Sequence, residues 1–121
     1  MLAAGMGAFA MIEPLIVLTT IGNAEQGRRI ARELVEARLA ACVTCFPGLT
    51  SVYRWTGRVE EDSEVLLLIK STGDRVEELK AHLLRVHPYE VPEFLVLPVR
   101  EGGEPFLKWL GDSTGRLRED G

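Results

Sequence analysis

The period of apolar and polar positions changes several times along the chain. Residues 14–20, PLIVLTT, are a short unbroken apolar run, the pattern of a strand buried on both faces. From residue 23 the period becomes helical. Ala24, Ile30, Ala31, Leu34 and Val35 gather on one side, while Arg28, Arg29, Arg32, Glu33 and Glu36 lie mostly elsewhere. Asn23 with Gln26 three residues on is a capping-box start, which predicts an amphipathic helix of about 15 residues. Residues 40–55 read as a strand interrupted at Pro47-Gly48. Thr56-Gly57 is a hairpin turn signal, and residues 58–64 return as a polar, acidic arm. Residues 65–69, VLLLI, are again continuously apolar. Asp74 and Glu77 predict a second capped helix, in which Val76, Leu79, Leu83 and Val86 form a stripe that Pro88 ends. Residues 94–99 are a fourth strand. The segment GEPFLKWLGDS predicts a short terminal helix with Phe106, Trp109 and Leu110 facing inward, and from Thr114 the tail is polar and expected to be loose.

The order β-α-β-β-α-β plus a terminal helix predicts an α+β fold of the ferredoxin-like, split βαβ kind. One domain spans residues 14–112, after an N-terminal extension over 1–13 and before a polar tail over 113–121. Met1 and Met11 are both candidate natural starts. A single antiparallel sheet carrying both helices on one face leaves its other face to be covered. The central hairpin also looks too long for the domain. At about 3.3 Å per residue its arms exceed about 30 Å, with Tyr53 and Trp55 near the tip. A lone ribbon carrying aromatics is unstable in water, so an oligomer that buries the ribbon and the open face is expected.

Composition narrows the function classes. The chain has 121 residues, 46% of them hydrophobic, as in an ordinary soluble domain. Its 14 basic and 18 acidic residues give a net charge of −4. No basic cluster stands out, which argues against a nucleic-acid partner. The apolar opening MLAAGMGAFAMI is too short for a membrane span and lacks a basic leader, so a cytoplasmic protein with no membrane partner is expected. Two cysteines make no disulfide framework.

Both cysteines lie in one C-x-x-C, Cys42-Val43-Thr44-Cys45. Side chains alternate along a strand, so the two thiols point to opposite faces with Cα atoms about 10 Å apart, too far for a disulfide. β-branched Val43 and Thr44 favour extension over a chelating knuckle. Cys42 is expected as a small buried core residue and Cys45, near Pro47, as half exposed. His82 and His87 are five apart and do not chelate as an i, i+4 pair. His82 reads as a solvated helix residue. The segment HPYEVPE sets His87, Tyr89, Glu90 and Glu93 around two prolines; it reads as a rigid helix stop or as a rigid loop holding polar groups at a site. Lys70 is a strand-end charge or an anion contact. Glu60, Glu61, Asp62 and Glu64 read as a solvated flank with a weak attraction for divalent cations, since alternation separates their carboxylates.

Together, LVEARLAACVTCFPGLTSVYRWTGRVEEDSEVLLLIKST and HPYEVPEFLVLPVREGGEPFLKWL resemble the CutA family of divalent-cation tolerance proteins over about residues 14–112. The resemblance implies a ferredoxin-like subunit in a tight homotrimer with interlocked hairpins, similar to the PII signalling proteins, and no catalytic activity. It implies weak binding of copper or another divalent cation that folding does not require, with Cys42, His87 and Glu90 at the matching metal positions. It also implies an intersubunit cleft lined by Tyr53, Trp55, Lys70, Tyr89 and Glu90. An alternative function is that of a PII-like trimeric sensor or scaffold binding a small anion or metabolite there. Thr44, Cys45 and Phe94 depart from the family pattern.

Overall fold

The buried core is set by strict alternation along two strands. A computed structural model describes residues 13–115 of the chain. The expected extension, except for Glu13, and the tail from residue 116 lie outside the described residues. Strand β1 (Pro14–Ile21) is followed by helix α1 (Ala24–Glu36), then by strands β2 (Cys42–Trp55) and β3 (Arg58–Thr72). A single 3₁₀ turn (Gly73–Arg75) leads into helix α2 (Val76–Val86), strand β4 (Leu95–Pro98) and helix α3 (Glu104–Ser113). The strands form one antiparallel sheet in the order β2-β3-β1-β4.

In β1, and in β3 from Val65 onward, every second residue is buried. Leu15, Val17 and Ile21 of β1 join Val65, Leu67 and Ile69 of β3 in one cluster with Ile30 and Leu34 of α1 and with Leu79 and Leu83 of α2. Burying each such side chain stabilises by about 1.5–3 kcal/mol. The expectation of burial on both faces fails here. Ile16, Leu18, Leu66 and Leu68 on the opposite face are only half-buried, because within one subunit little lies over them. On that face Phe46, Leu95 and Leu97 are exposed. Helix α3 covers only the end near Ile16 and Lys70, with Leu110 buried. Phe106 and Trp109, expected inside, remain 47% and 45% exposed, their rings tilted against each other with centroids 5.4 Å apart.

Asn23 caps α1, its Oδ1 accepting from the Gln26 amide at 2.8 Å. Gly27, rather than Val35, completes the inward face of α1: a Cβ on Gly27 would stand 3.2 Å from Ile21 and 3.3 Å from Leu67. The expected cap at Asp74 is absent. Asp74 accepts from the Thr72 hydroxyl, and Arg75 precedes α2 without a side-chain cap. His82 is not free in solvent; its ring bridges Glu33 of α1 and Arg85 of α2.

The hairpin turns at Thr56 and Gly57, both with positive φ, as a two-residue turn of the primed type requires. Between Phe46 and Leu49 the register shifts by one residue, a bulge at Pro47 and Gly48. Beyond it, from Leu49↔Glu64 to Trp55↔Arg58, the two arms pair only with each other. This free ribbon is about 23 Å long.

The tail is tied down at its first two residues, against expectation. Arg38, at φ 60°, accepts the Gly115 amide at its carbonyl and donates from its guanidinium to the carbonyls of Asp112, Thr114 and Gly115. Thr114 is buried against Thr72, their hydroxyls 2.9 Å apart. Truncation by Arg38→Ala removes these charge-assisted bonds and should cost about 1–3 kcal/mol in chemical denaturation. The buried Thr19 hydroxyl has no hydrogen-bond partner among the described residues. Thr19→Val should therefore raise the denaturation midpoint, by about 1 kcal/mol in stability, with an unchanged m-value.

Candidate functional site

Alternation also carries polar groups onto the open side of the ribbon. Ser51, Tyr53 and Trp55 face the same way as their register partners Asp62, Glu60 and Arg58. The loop after α2 closes the space opposite. His87 ends that helix in an extended conformation, and its ring is buried. Its Nε2 donates to the Thr20 carbonyl at 2.9 Å, and its Nδ1 accepts the Tyr89 amide at 3.1 Å. An amide can only donate and a carbonyl only accept, so the proton sits on Nε2. The ring packs edge-on against Tyr89, with centroids 4.8 Å apart. The Tyr89 hydroxyl donates to Glu64 at 2.6 Å, and a Cβ on Gly22 would lie 3.2 Å from that hydroxyl. Tyr53 donates to Asp62.

The result is an open cleft of about 670 Å³ between ribbon and loop. Asp62, Glu64, Glu90 and Glu93 bring four carboxylates to it, and its lining contains no lysine, arginine or histidine. The local field follows. Burial, reinforced by Glu64, pushes the Glu93 carboxyl up. The hydrogen bond to Asp62 pushes the exposed Tyr53 phenol up to about 12, with Glu60 and Glu64 adding to it. Burial, followed by the Glu64 bond, also pushes Tyr89 up from 10. Such a cleft favours positive charge and opposes negative charge.

Of the residues expected at the site, Tyr53, Trp55, Tyr89 and Glu90 all line this cleft. Lys70 does not. It lies farther along β3, opposite Cys42, with Nζ 3.9 Å from Sγ. His87 contacts Thr20, which pairs with Leu66, so Cys42 and His87 stand about four residues, or about 13 Å, apart along the strands and two strand spacings apart across the sheet. Within one subunit Cys42 therefore does not join His87 and Glu90 in a chelate, and both His87 nitrogens are already engaged. Among the described residues no three His, Cys, Asp or Glu side chains converge as metal ligands. The thiols do face opposite sides of the sheet, and both are half-buried, as expected of Cys45 but not of Cys42. Cys45 packs against the helix-side core, where burial pushes its thiol up against the opposing effect of Arg28. Cys42 is half-buried on the open side. Asp62, Glu64 and Glu93 were missed as lining residues. The first two stand two apart in one strand, a spacing that puts them on one face.

The fold and site define a small α+β domain with an acidic, aromatic-walled cleft and a projecting ribbon. The CutA1 divalent ion tolerance protein family matches residues 15–113, and the chain belongs to that family. It is 51% identical to the divalent-cation tolerance protein CutA of Thermus thermophilus, over 83% of this chain and 97% of that one. It is 50% identical to the protein CutA homolog of Xenopus laevis over 77% of this chain but 62% of that one, so the chain spans under two-thirds of that longer relative. The crystal structure of CutA1 from Oryza sativa superposes with a TM-score of 0.83 at 39% identity, covering 87% of this chain and 96% of that one. The periplasmic divalent cation tolerance protein CutA from Archaeoglobus fulgidus gives 0.80 at 29% identity over 83% and 97%. Among the described residues no helix is long and apolar enough to cross a membrane.

Tyrosine ionisation reports the field of the cleft. The chain has two tyrosines, both in it. In ultraviolet titration the folded protein should show little phenolate at pH 10, where the unfolded chain is half ionised. The raised Tyr53 contributes stability that is complete below pH 10 and lost as pH climbs toward 12. Asp62→Asn should return Tyr53 toward 10.

Proposed function

We propose that the protein is a non-catalytic, CutA-type divalent-cation tolerance protein that binds divalent cations, copper among them, weakly at the acidic cleft. The observation that carries this reading is the set of carboxylates from Asp62, Glu64, Glu90 and Glu93 around a space with no basic side chain. Carboxylate and water oxygens suit hard divalent cations and also hold copper(II), without the selectivity that thiolate or imidazole would add. Weak affinity fits a set that does not converge into three close ligands. Of the metal positions implied by resemblance, Glu90 stands at this cleft; Cys42 lies toward the other end of the sheet face, and both His87 nitrogens are engaged within the chain. The anion-sensor alternative is less well supported, since Lys70 lies outside the cleft. For the absence of catalysis, Cys42 has no imidazole beside it, and the His87 nitrogens are both engaged.

The proposed working form is a homotrimer of ferredoxin-like subunits in the cytoplasm. The exposed Phe46, Leu95 and Leu97 of the open face, with Val52, Trp55 and Val59 of the ribbon, support a partner made of further copies. Calorimetric titration with copper(II) tests the binding site. The double variant Glu64→Gln/Glu90→Gln should weaken binding about tenfold or more, ~1.4 kcal/mol, while Cys42→Ala leaves it within twofold of the parent. Loss in Cys42→Ala with the carboxylate variant unchanged would move the site to the thiol and defeat the proposal.

A further inference from the structure

The helix layer lies on the side of the sheet opposite the open face. Helices α1 and α2 meet there across a seam in which Ile30, Leu34, Leu79 and Leu83 are buried. Beside that seam the His82 side chain is 20% exposed and has a polar partner on each ring nitrogen. Its Nε2 is 3.1 Å from Glu33 Oε1 on α1, and its Nδ1 is 3.1 Å from Arg85 Nη2, three residues along α2. A guanidinium can only donate, so Nδ1 is the acceptor in that contact. The ring is therefore neutral with its proton on Nε2, which donates to the Glu33 carboxylate. In this state both contacts are satisfied. One imidazole ties α2 to α1 and also holds Arg85.

A proton added to this ring can go only to Nδ1, since Nε2 already carries one. The lone pair that Arg85 uses is then gone, and two cationic groups face each other across a 3.1 Å contact. The lost hydrogen bond and the charge repulsion act in the same direction, and Arg85 is exposed, with solvent open to it. The Glu33 contact responds in the opposite sense, because an imidazolium donating to a carboxylate makes a charge-assisted hydrogen bond. The other charged side chains three or four residues along either helix from His82 and Glu33 are Glu78 on α2 and Arg29 and Glu36 on α1. Glu78 takes Arg75 at 2.9 Å, and Glu36 pairs with Arg32 at 3.9 Å.

We propose that His82 is a proton-operated switch for Arg85. Above the ordinary imidazole range the neutral ring holds the guanidinium. Below it the imidazolium releases Arg85 and keeps its bond to Glu33. The two helices stay linked in both states. What changes is the outer surface of the helix layer, which gains one positive charge and one released guanidinium in mild acid. The device lies away from the open face and the acidic cleft, and it does not depend on the cation-binding reading.

The chain has two histidines, so their ring signals can be followed in the full-length protein by nuclear magnetic resonance. At about pH 8 the His82 ring should show a protonated Nε2 and a bare Nδ1. On going to about pH 5, Nδ1 should gain a proton while Nε2 keeps its own, and the Arg85 Nε–H signal should shift with the same midpoint. In His82→Gln the pH-dependent shift of Arg85 should be lost, with the His87 ring signals unchanged as the check on the fold. In Glu33→Gln it should remain, since that contact is made by the other nitrogen. A protonated Nδ1 with a bare Nε2 in the neutral ring would overturn the proposal. Arg85 signals that stay still while the ring titrates, or that move equally in His82→Gln, would do so as well.

Discussion

The antiparallel pairing of β1 with β3 is the constraint on which the rest of the structure depends. Leu15↔Ser71, Val17↔Ile69 and Thr19↔Leu67 place the odd-numbered residues of β1, and those of β3 from Val65 on, beneath the helices. A slip of one residue would turn this set outward and bring Lys70 and Glu64 into the core. The register is therefore fixed by burial, and α1 can approach closely because Gly27 offers no Cβ to Ile21 and Leu67. The same parity leaves Ile16, Leu18, Leu66 and Leu68 on the opposite face, where α3 reaches only one end. The half-covered apolar surface is thus a direct consequence of the pairing that makes the core.

That parity also builds the candidate site. Continuing along β3, the open side receives Asp62, Glu64 and Lys70 in turn, with the acidic pair at the ribbon end and the cation beneath α3. The bulge at Pro47 and Gly48 adds one residue to β2 and so keeps Tyr53 and Trp55 on the same side as the acids across from them. The loop held by His87 then brings Tyr89, Glu90 and Glu93 over this end. One sheet face consequently carries a negative cleft at the ribbon end and an apolar pocket beneath α3 at the other.

Much of this was legible in the sequence. The element order, the cap at Asn23, the Thr56-Gly57 turn and the break at Pro47 all follow from local signals, and local chemistry decided them. The expectations that failed depended on what lies across the sheet. Continuous apolar runs at 14–18 and 65–69 read as two-sided burial, but a single subunit supplies one cover, and the run itself does not say where a second would come from. Phe106 and Trp109 looked internal by spacing, but α3 rests at the sheet's edge and buries only one stripe. Cys42 and Cys45 were placed correctly on opposite faces; which face met the helices depended on register with Leu67 and Lys70. Asp62 and Glu64 were within reach of the alternation rule, whereas Glu93 became visible only once the loop was folded back. Arg38 as the anchor of the C-terminal helix carried no sequence signal at all.

The central claim is that the open face and the ribbon are covered by further copies of the same chain. Sedimentation equilibrium at micromolar concentration tests it most directly. The account predicts a mass of about 40 kDa, three times the 13.4 kDa chain, that does not change on dilution. A stable, well-folded monomer at the same concentration would contradict it. The exposed Phe46, Leu95, Leu97 and ribbon aromatics would then have to be tolerated in water.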